Sequence, residues 1–239
     1  MMQRIHLISG PRNISTAMMY SFAQRPNCLV VDEPFYAAYL AETGILHPGR
    51  EEVLQSQNNE REGVLKSVFL ENGTTEELFI KNMAHHILPT DWQHFIYLKN
   101  FFLIRDPKRI SASYAKVIGD FGLDDLGLKQ QFEIAEFLQK KGQKVIVADT
   151  GELIKNPATY IASLCEALEI EFYPSMLEWQ AGPRPEDGIW AKHWYANVHQ
   201  STGLKPKLET AIELDSKYTE LLEEAQVYYL KLKAFEIKH

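Results

Sequence analysis

Five short runs of apolar residues recur along the chain, and each is nearly continuous rather than alternating with polar residues. Continuous apolar runs are typical of strands that are buried on both faces, as in a parallel sheet. Segments with helical spacing lie between them, which predicts right-handed crossovers with helices on both faces of the sheet. The predicted strands are residues 5–9, 28–32, 78–82, 101–105 and 144–149, and the predicted helices are residues 15–24, 50–67, 91–99, 109–118, 129–141 and 157–169.

The pattern predicts an α/β fold, a three-layer sandwich around a central, mostly parallel five-stranded sheet. No linker or internal repeat divides residues 1–239, so we expect a single domain. It ends in a long helix over residues 207–234, whose apolar residues recur three and four positions apart. Packing of this helix on its own domain and a homodimer interface both remain open. Ala and Tyr in the seam favour the first, because they make a poor zipper.

Composition limits the classes of partner. The 239 residues carry a net charge of −7 without a basic stripe, which argues against nucleic acid. No stretch approaches the roughly 20 apolar residues of a membrane span, and the N-terminal residues lack a leader pattern. We therefore expect a cytoplasmic protein with no membrane contact, in which Cys28 and Cys165 are buried, reduced thiols.

The segment "ISGPRNIST" joins the first predicted strand to the first predicted helix. A tight loop at a helix N-terminus gathers backbone N–H groups that bind phosphate, and Arg12, Ser15 and Thr16 add a guanidinium and two hydroxyls. A plain helix cap beside a surface arginine would have the same local sequence. The second glycine and the lysine of G-x-x-x-x-G-K-[ST] are absent, which argues against ATP hydrolysis.

A second candidate phosphate site lies in "FFLIRDPKRISASY", residues 101–114. Arg105 ends an apolar run, and Ser113 falls on the helix that follows Pro107. Arginine at the carboxyl end of a strand, with a serine on the next element, can hold a phosphate. Taken alone, the same residues would form an ordinary turn with a local ion pair.

Together the two motifs resemble the sulfotransferases that use 3′-phosphoadenosine 5′-phosphosulfate (PAPS), bacterial members included, which have a P-loop-like nucleotide-binding fold. Their Pro-Arg/Lys-Ser-Gly-[ST]-[ST] loop holds the 5′-phosphosulfate, and an arginine with a serine eight positions later binds the 3′-phosphate. The resemblance implies donor binding by the loop residues and by Arg105 and Ser113. Asn13 and Ile14 depart from the usual Ser-Gly, which changes the backbone freedom of the loop. The matching loop positions are Pro11, Arg12, Asn13, Ile14, Ser15 and Thr16.

Three further positions are candidates for the chemistry. Glu33 follows the second strand, and Pro34 after it predicts an extended backbone at Glu33. In the resembling bacterial and tyrosylprotein enzymes a glutamate near this position is the general base. Lys81 matches a lysine that contacts the transferring group in cytosolic sulfotransferases. The histidine base of those enzymes has only late counterparts here, His85 and His86. Glu33 is the preferred base, with the histidines as alternatives, and the adjacent pair lacks further ligands at metal-site spacing.

The family's C-terminal Arg-Lys-Gly segment has its nearest counterpart in "HQSTGLKP", with Thr202 and Gly203 as candidate nucleotide contacts. Trp194 and Tyr195 could stack on adenine, line the acceptor pocket or belong to the core. The resemblance implies sulfuryl transfer from PAPS to a hydroxyl or amine of a small-molecule acceptor, without a required metal. Arg12 would stabilise charge on the leaving phosphate. The alternatives are a small-molecule kinase or other phosphotransferase, and a nucleotide-binding module without catalysis.

Overall fold

The computed structural model describes residues 2–71, 73, 75–116, 121–207 and 210–239. Five parallel strands form one sheet in the order β2-β3-β1-β4-β5, which confirms the predicted α/β class. Each strand coincides with one of the five apolar runs. The strands are β1 (Gln3–Ser9), β2 (Cys28–Asp32), β3 (Glu77–Met83), β4 (Lys99–Ile104) and β5 (Val147–Asp149).

Helices cover both faces of the sheet. The α-helices among the described residues are α1 (Ser15–Phe22), α2 (Tyr36–Thr43), α3 (Arg50–Ser56), α4 (Arg61–Val64), α5 (Pro107–Tyr114), α6 (Leu123–Leu126), α7 (Leu128–Lys140), α8 (Thr150–Leu153), α9 (Pro157–Ala167), α10 (Ala191–Trp194), α11 (Ala196–His199) and α12 (Thr219–Lys233). Leu65–Leu70 is π-helical, and 3₁₀ turns cover Ala84–His86, Trp92–Phe95, Pro174–Leu177 and Ser216–Tyr218. Within this described part of the chain, no helix has both the length and the apolar character needed to cross a membrane.

Successive residues of the strands enter separate cores on the two faces. Ile80 and Phe102 pack with α7 and α12, whereas Phe79 and Phe101 pack with α1 and α9. All four of these side chains are buried. This two-sided burial explains why the strand sequences are continuously apolar, and it gives the three layers that the sequence predicts.

Two predicted helices have different boundaries. The expected helix over residues 50–67 breaks at Gln57, whose backbone is extended. The Gln57 side chain accepts a hydrogen bond from Ala37 N through Oε1. Its Nε2 lies 3.4 and 3.3 Å from the carbonyl oxygens of Asp32 and Glu33. The predicted helix is therefore interrupted at Gln57, whose side chain bonds to the backbone at the end of β2. The expected helix over residues 91–99 is a single 3₁₀ turn, Trp92–Phe95, and the end of the one predicted over 109–118 lies outside the described residues.

The tail helix begins later than predicted. Residues 207 and 210–215 are not helical, and the Asp215 side chain accepts a hydrogen bond from Lys217 N, at 2.9 Å, where the first helical turn starts. The start at residue 207 is therefore wrong. Ala225, Tyr229 and Leu232 are buried against the chain's own core, so the seam packs within the domain. A homodimer through this helix stays a prediction.

Candidate active site

The candidate residues meet at the carboxyl edge of the sheet. Parallel strands present their carboxyl ends at one edge, so the segments that follow β1, β2, β3 and β4 converge there. The loop of residues 11–16 follows β1, Glu33 follows β2, and Arg105 follows β4. Ser113 lies on α5, which begins two residues after Arg105. Asp106 caps that helix by accepting from Arg109 N at 3.2 Å, and Pro107 occupies its first turn.

The loop after β1 has the backbone of an anion-binding turn. Arg12 and Ile14 both have left-handed φ angles, 58° and 48°. Ile14 thus adopts the conformation that the family's glycine would take without steric cost. Successive N–H groups in such a turn form a concave nest for anions, and the macrodipole of α1 adds positive potential. No side chain of the described residues caps this end of α1, which leaves its first N–H groups available to a ligand.

Asn13 anchors the loop from beneath. Its side chain is buried, its amide nitrogen donates to the carbonyl of Leu103, and its Oδ1 accepts from Thr150 Oγ1 at 2.5 Å. These bonds tie the loop to the ends of β4 and β5. Any contact of Asn13 with a ligand would come from its backbone, because its side chain is engaged in the protein.

The two predicted phosphate motifs are in direct contact. Arg105 Nη1 donates to the Arg12 carbonyl at 2.9 Å, and Arg12 Nε donates to Ser113 Oγ at 2.9 Å. The contacts bridge 93 and 101 positions of sequence. The fold thus joins the loop and the Arg105–Ser113 pair into one continuous polar surface.

A cleft of about 830 Å³ opens beside this surface. Arg105 and Ser113 line one wall, and residues 210–215 run along it. Five cationic residues face it together with two acidic ones, Glu213 and Asp215, so positive potential is concentrated here in a chain of net charge −7. The five are Arg105, Arg109, Lys116, Lys207 and Lys217. Sequence reasoning missed Lys207 and Lys217, because both were assigned to the long tail helix. Lys207 is not helical, and Lys217 lies in the 3₁₀ turn before α12.

The expected nucleotide contacts Thr202 and Gly203 are not among the residues that line this cleft. Gly203 pairs instead with Glu178 in an isolated bridge, and the Thr202 carbonyl accepts from Trp179 N at 3.1 Å. A side chain at position 203 would meet the Leu177 carbonyl oxygen at 2.3 Å, which explains the glycine. Their described role is to close the segment of residues 178–206 onto itself.

Glu33 belongs to a buried charge cluster, and its φ of 42° is left-handed, so the expected extended backbone at this residue is wrong. Asp32 and Lys81 are register partners on β2 and β3, and Lys81 is fully buried. Lys81 Nζ lies 2.8 Å from Asp32 Oδ1, 2.7 Å from Glu33 Oε1 and 2.7 Å from Tyr195 Oη. The lysine that the resemblance places on the transferring group is therefore engaged between two carboxylates and a phenol.

The segment of residues 178–206, called the late segment below, supplies the remaining partners of this cluster. Tyr195 Oη donates to Asp32 Oδ2 at 2.7 Å and accepts from Trp190 Nε1 at 3.0 Å. The Gly188 N–H lies 3.3 Å from Asp32 Oδ2, and Asp187 is held by the Tyr20 hydroxyl at 2.7 Å. Sequence reasoning left Tyr195 open between adenine, acceptor and core. Its only local signal is the concentration of aromatic residues in a long irregular segment.

The pKa values of Glu33 and Lys81 are both raised by their surroundings, for different reasons. Burial raises the pKa of Glu33, and the Asp32 carboxylate raises it further against the opposing ammonium of Lys81. Burial opposes the charge of Lys81, but the two carboxylates raise its pKa well above its ordinary value. The lysine is thus charged, and Glu33 is a stronger base than an exposed glutamate.

The two histidines are neutral, and His86 lies next to Glu33 while His85 contacts the His86 ring. His86 Nδ1 is 3.7 Å from Glu33 Oε2, and its ring stacks on Tyr36 with centroids 4.8 Å apart. Burial lowers the pKa of His85 to about 4, and burial together with His85 lowers that of His86 well below its ordinary value. Among the described residues, no group of three or more His, Cys, Asp or Glu side chains could hold a metal ion.

Two longer plant proteins are similar to this chain in sequence. Two proteins of Arabidopsis thaliana, branched-chain-amino-acid aminotransferase-like proteins 1 and 2, are 39% and 37% identical to this chain over 238 and 239 residues. These matches cover 98% and 100% of this chain but 42% of each relative, so the chain spans about two-fifths of their length. Their names describe those longer proteins.

Solved structures share the fold. The sulfotransferase domain of the Synechococcus PCC 7002 olefin synthase matches with a TM-score of 0.53 and 16% identity, over 93% of this chain and 94% of that domain. The sulfotransferase domain from the curacin biosynthetic pathway matches with a TM-score of 0.52 and 14% identity, over 95% and 98%. A sulfotransferase domain family model matches residues 2–236, so the chain belongs to the sulfotransferase domain family.

Proposed function

We propose that this chain transfers a sulfuryl group from PAPS to a hydroxyl or amine of a small-molecule acceptor. The observation that carries the proposal is the direct contact between the two phosphate motifs, Arg105 to Arg12 and Arg12 to Ser113. PAPS differs from ATP in carrying a 3′-phosphate in addition to its 5′ group. A single surface with two anion sites, one at a helix N-terminus and one at an arginine–serine pair, suits such a nucleotide.

The described residues fit the donor. The left-handed turn at Arg12 and Ile14 and the uncapped start of α1 suit the 5′-phosphosulfate. Arg105 and Ser113 suit the 3′-phosphate, and the cationic cleft beside them offers about 830 Å³ to the rest of the nucleotide. Phosphate groups bound in this way would be neutralised by arginine and backbone dipoles.

Glu33 is the base that we propose. Its Oε1 is fixed by Lys81, and its Oε2 is turned toward His86. The acceptor O–H or N–H would give its proton to Glu33 as its oxygen or nitrogen bonds to sulfur and the S–O bond to the 5′-phosphate breaks. Arg12 would stabilise the negative charge that collects on the departing phosphate. Lys81 acts here through Glu33 and not on the sulfuryl oxygens.

Calorimetry with 3′-phosphoadenosine 5′-phosphate, ADP and ATP, each with and without Mg²⁺, tests the donor. We expect metal-independent binding of the bisphosphate that is tighter than binding of ADP. Arg105→Ala should weaken it about 10- to 100-fold, the value of one charge-assisted contact. Lys140→Ala removes an exposed charge on α7 and serves as the control.

The alternatives predict other outcomes. A preference for ATP with Mg²⁺ would identify a phosphotransferase and overturn the proposal. Equal affinity for the bisphosphate and ADP would contradict the proposed 3′-phosphate site at Arg105 and Ser113. Tight binding of the bisphosphate without turnover of PAPS, across a panel of alcohols, phenols and amines, would favour a binding module.

A further inference from the structure

Tyr195 connects the late segment to the buried charge cluster. The residue is 5% exposed and lies 163 positions from Asp32, to which its hydroxyl donates at 2.7 Å. The same oxygen lies 2.7 Å from Lys81 Nζ and 3.0 Å from Trp190 Nε1. It therefore gives one hydrogen bond and receives two, which saturates a phenolic oxygen.

Lys81 is saturated as well. An ammonium group has three protons, and three oxygens lie within 2.8 Å of Nζ, one each from Asp32, Glu33 and Tyr195. Because Lys81 is fully buried, no solvent can replace a missing partner. The orientation of Glu33 Oε1 thus depends on the ammonium, and the ammonium depends on Tyr195.

We propose that Tyr195 is a positioning residue for Glu33, which it aligns through Lys81 and Asp32 without contacting the acceptor. The proposal rests on the proposed function only in giving Glu33 the role of base. It also assigns the segment of residues 187–195 a part in catalysis, since Gly188 and Trp190 bond to the same cluster.

The direction of the effect follows from the charges around Glu33. The titratable groups that face it are Asp32 on β2, Lys81 on β3, His86 after β3, Tyr36 on α2 and Tyr195 from the late segment. Loss of the Tyr195 hydroxyl leaves Asp32 with less compensation, so Asp32 draws more strongly on Lys81. Burial already raises the pKa of Glu33, and the Lys81 ammonium counteracts this. A Lys81 that is drawn toward Asp32 stabilises the Glu33 carboxylate less. Tyr195→Phe should therefore raise the pKa further.

Carbon NMR of protein labelled at the glutamate side-chain carboxyl measures this without donor or acceptor. The signal of Glu33 is identified by its loss in Glu33→Gln. We expect Tyr195→Phe to move the Glu33 titration to higher pH than in the wild type. Tyr160→Phe is the matched control, because Tyr160 is equally buried and its hydroxyl bonds to Asp149 N at 2.7 Å and Glu236 at 3.1 Å, away from the cluster.

An unchanged Glu33 titration in folded Tyr195→Phe overturns the proposal, as does an equal shift in Tyr160→Phe. Should Tyr195→Phe not fold, the wild type provides a second test. Proton–nitrogen NMR should detect one lysine ammonium in slow exchange with water, lost in Lys81→Met, because all three of its protons are donated internally. An ammonium of Lys81 in fast exchange would contradict the saturated cluster. Both measurements stand even if the protein does not bind PAPS.

Discussion

The cleft and the buried cluster use charge in opposite ways. The cleft brings five cationic residues to an open surface with two acidic ones among them. The cluster encloses one cation between two carboxylates, with Lys81 0% and Glu33 6% exposed. Charges that line an open cleft are within reach of a ligand. Charges in the buried cluster satisfy one another, and their effect is to fix the orientation and pKa of Glu33.

The difference separates binding from chemistry. Substitutions of the exposed lysines in the cleft should change donor affinity and leave stability nearly unchanged, because water can solvate what remains. Substitutions in the cluster should change turnover or stability and leave donor affinity unchanged. Each prediction below tests one side of this division, in order of decreasing effect.

Glu33→Gln should reduce turnover by about 100- to 10,000-fold, the usual contribution of a general base. Affinity for 3′-phosphoadenosine 5′-phosphate should not change. Burial raises the pKa of Glu33 above its ordinary value. Wild-type activity should therefore rise with pH as Glu33 loses its proton, and this limb should be absent in the variant. Release of the bisphosphate from PAPS, followed against pH with an acceptor from the panel, measures both. Full activity in the variant would transfer the role of base to His85 or His86.

Lys81→Met should lower the free energy of unfolding by about 3–5 kcal/mol, because two buried carboxylates lose their shared cation. Chemical denaturation at neutral pH measures the loss. Lys140→Met, on an exposed face of α7, should cost less than about 1 kcal/mol. A similarly small cost for Lys81→Met would mean that the cluster is open to water.

Lys207→Ala should weaken binding of the bisphosphate by up to about fivefold, because an exposed charge contributes roughly 0.2–1 kcal/mol. Lys207 is exposed and lines the cleft. Calorimetry at low and high salt measures the affinity for the bisphosphate. The difference in affinity between the variant and the wild type should shrink as salt screens the charge. Lys205→Ala removes a neighbouring exposed charge that does not line the cleft, and it should leave affinity unchanged.

The strands were predictable because burial on both faces leaves a local mark. Residues such as Phe79 and Ile80 point to opposite cores, so both must be apolar. The two phosphate motifs, with Arg12 in one and Arg105 and Ser113 in the other, were also predictable, because their residue types and spacing can be recognised without knowledge of packing. The structure adds that they touch.

The boundaries of helices were less predictable where a tertiary contact competes with helical hydrogen bonds. Gln57 has good helical propensity, yet it leaves the helix to hold the carbonyl oxygens of Asp32 and Glu33. The apolar spacing of the tail extends back to Ala211, but residues 210–215 are not helical and line the cleft. Neither event leaves a signal within a local window.

By itself, the sequence determined the strands, the order of the two phosphate motifs and the place of Glu33 at a strand end. The tertiary structure decided what Lys81 does. A lysine after an apolar run could face a ligand or a carboxylate, and the sequence does not distinguish them. The register of β2 on β3 places Asp32 opposite Lys81, and Tyr195 arrives from 114 positions away to complete its shell. Partners so distant in sequence are chosen by packing, because only the folded chain brings them within hydrogen-bond range.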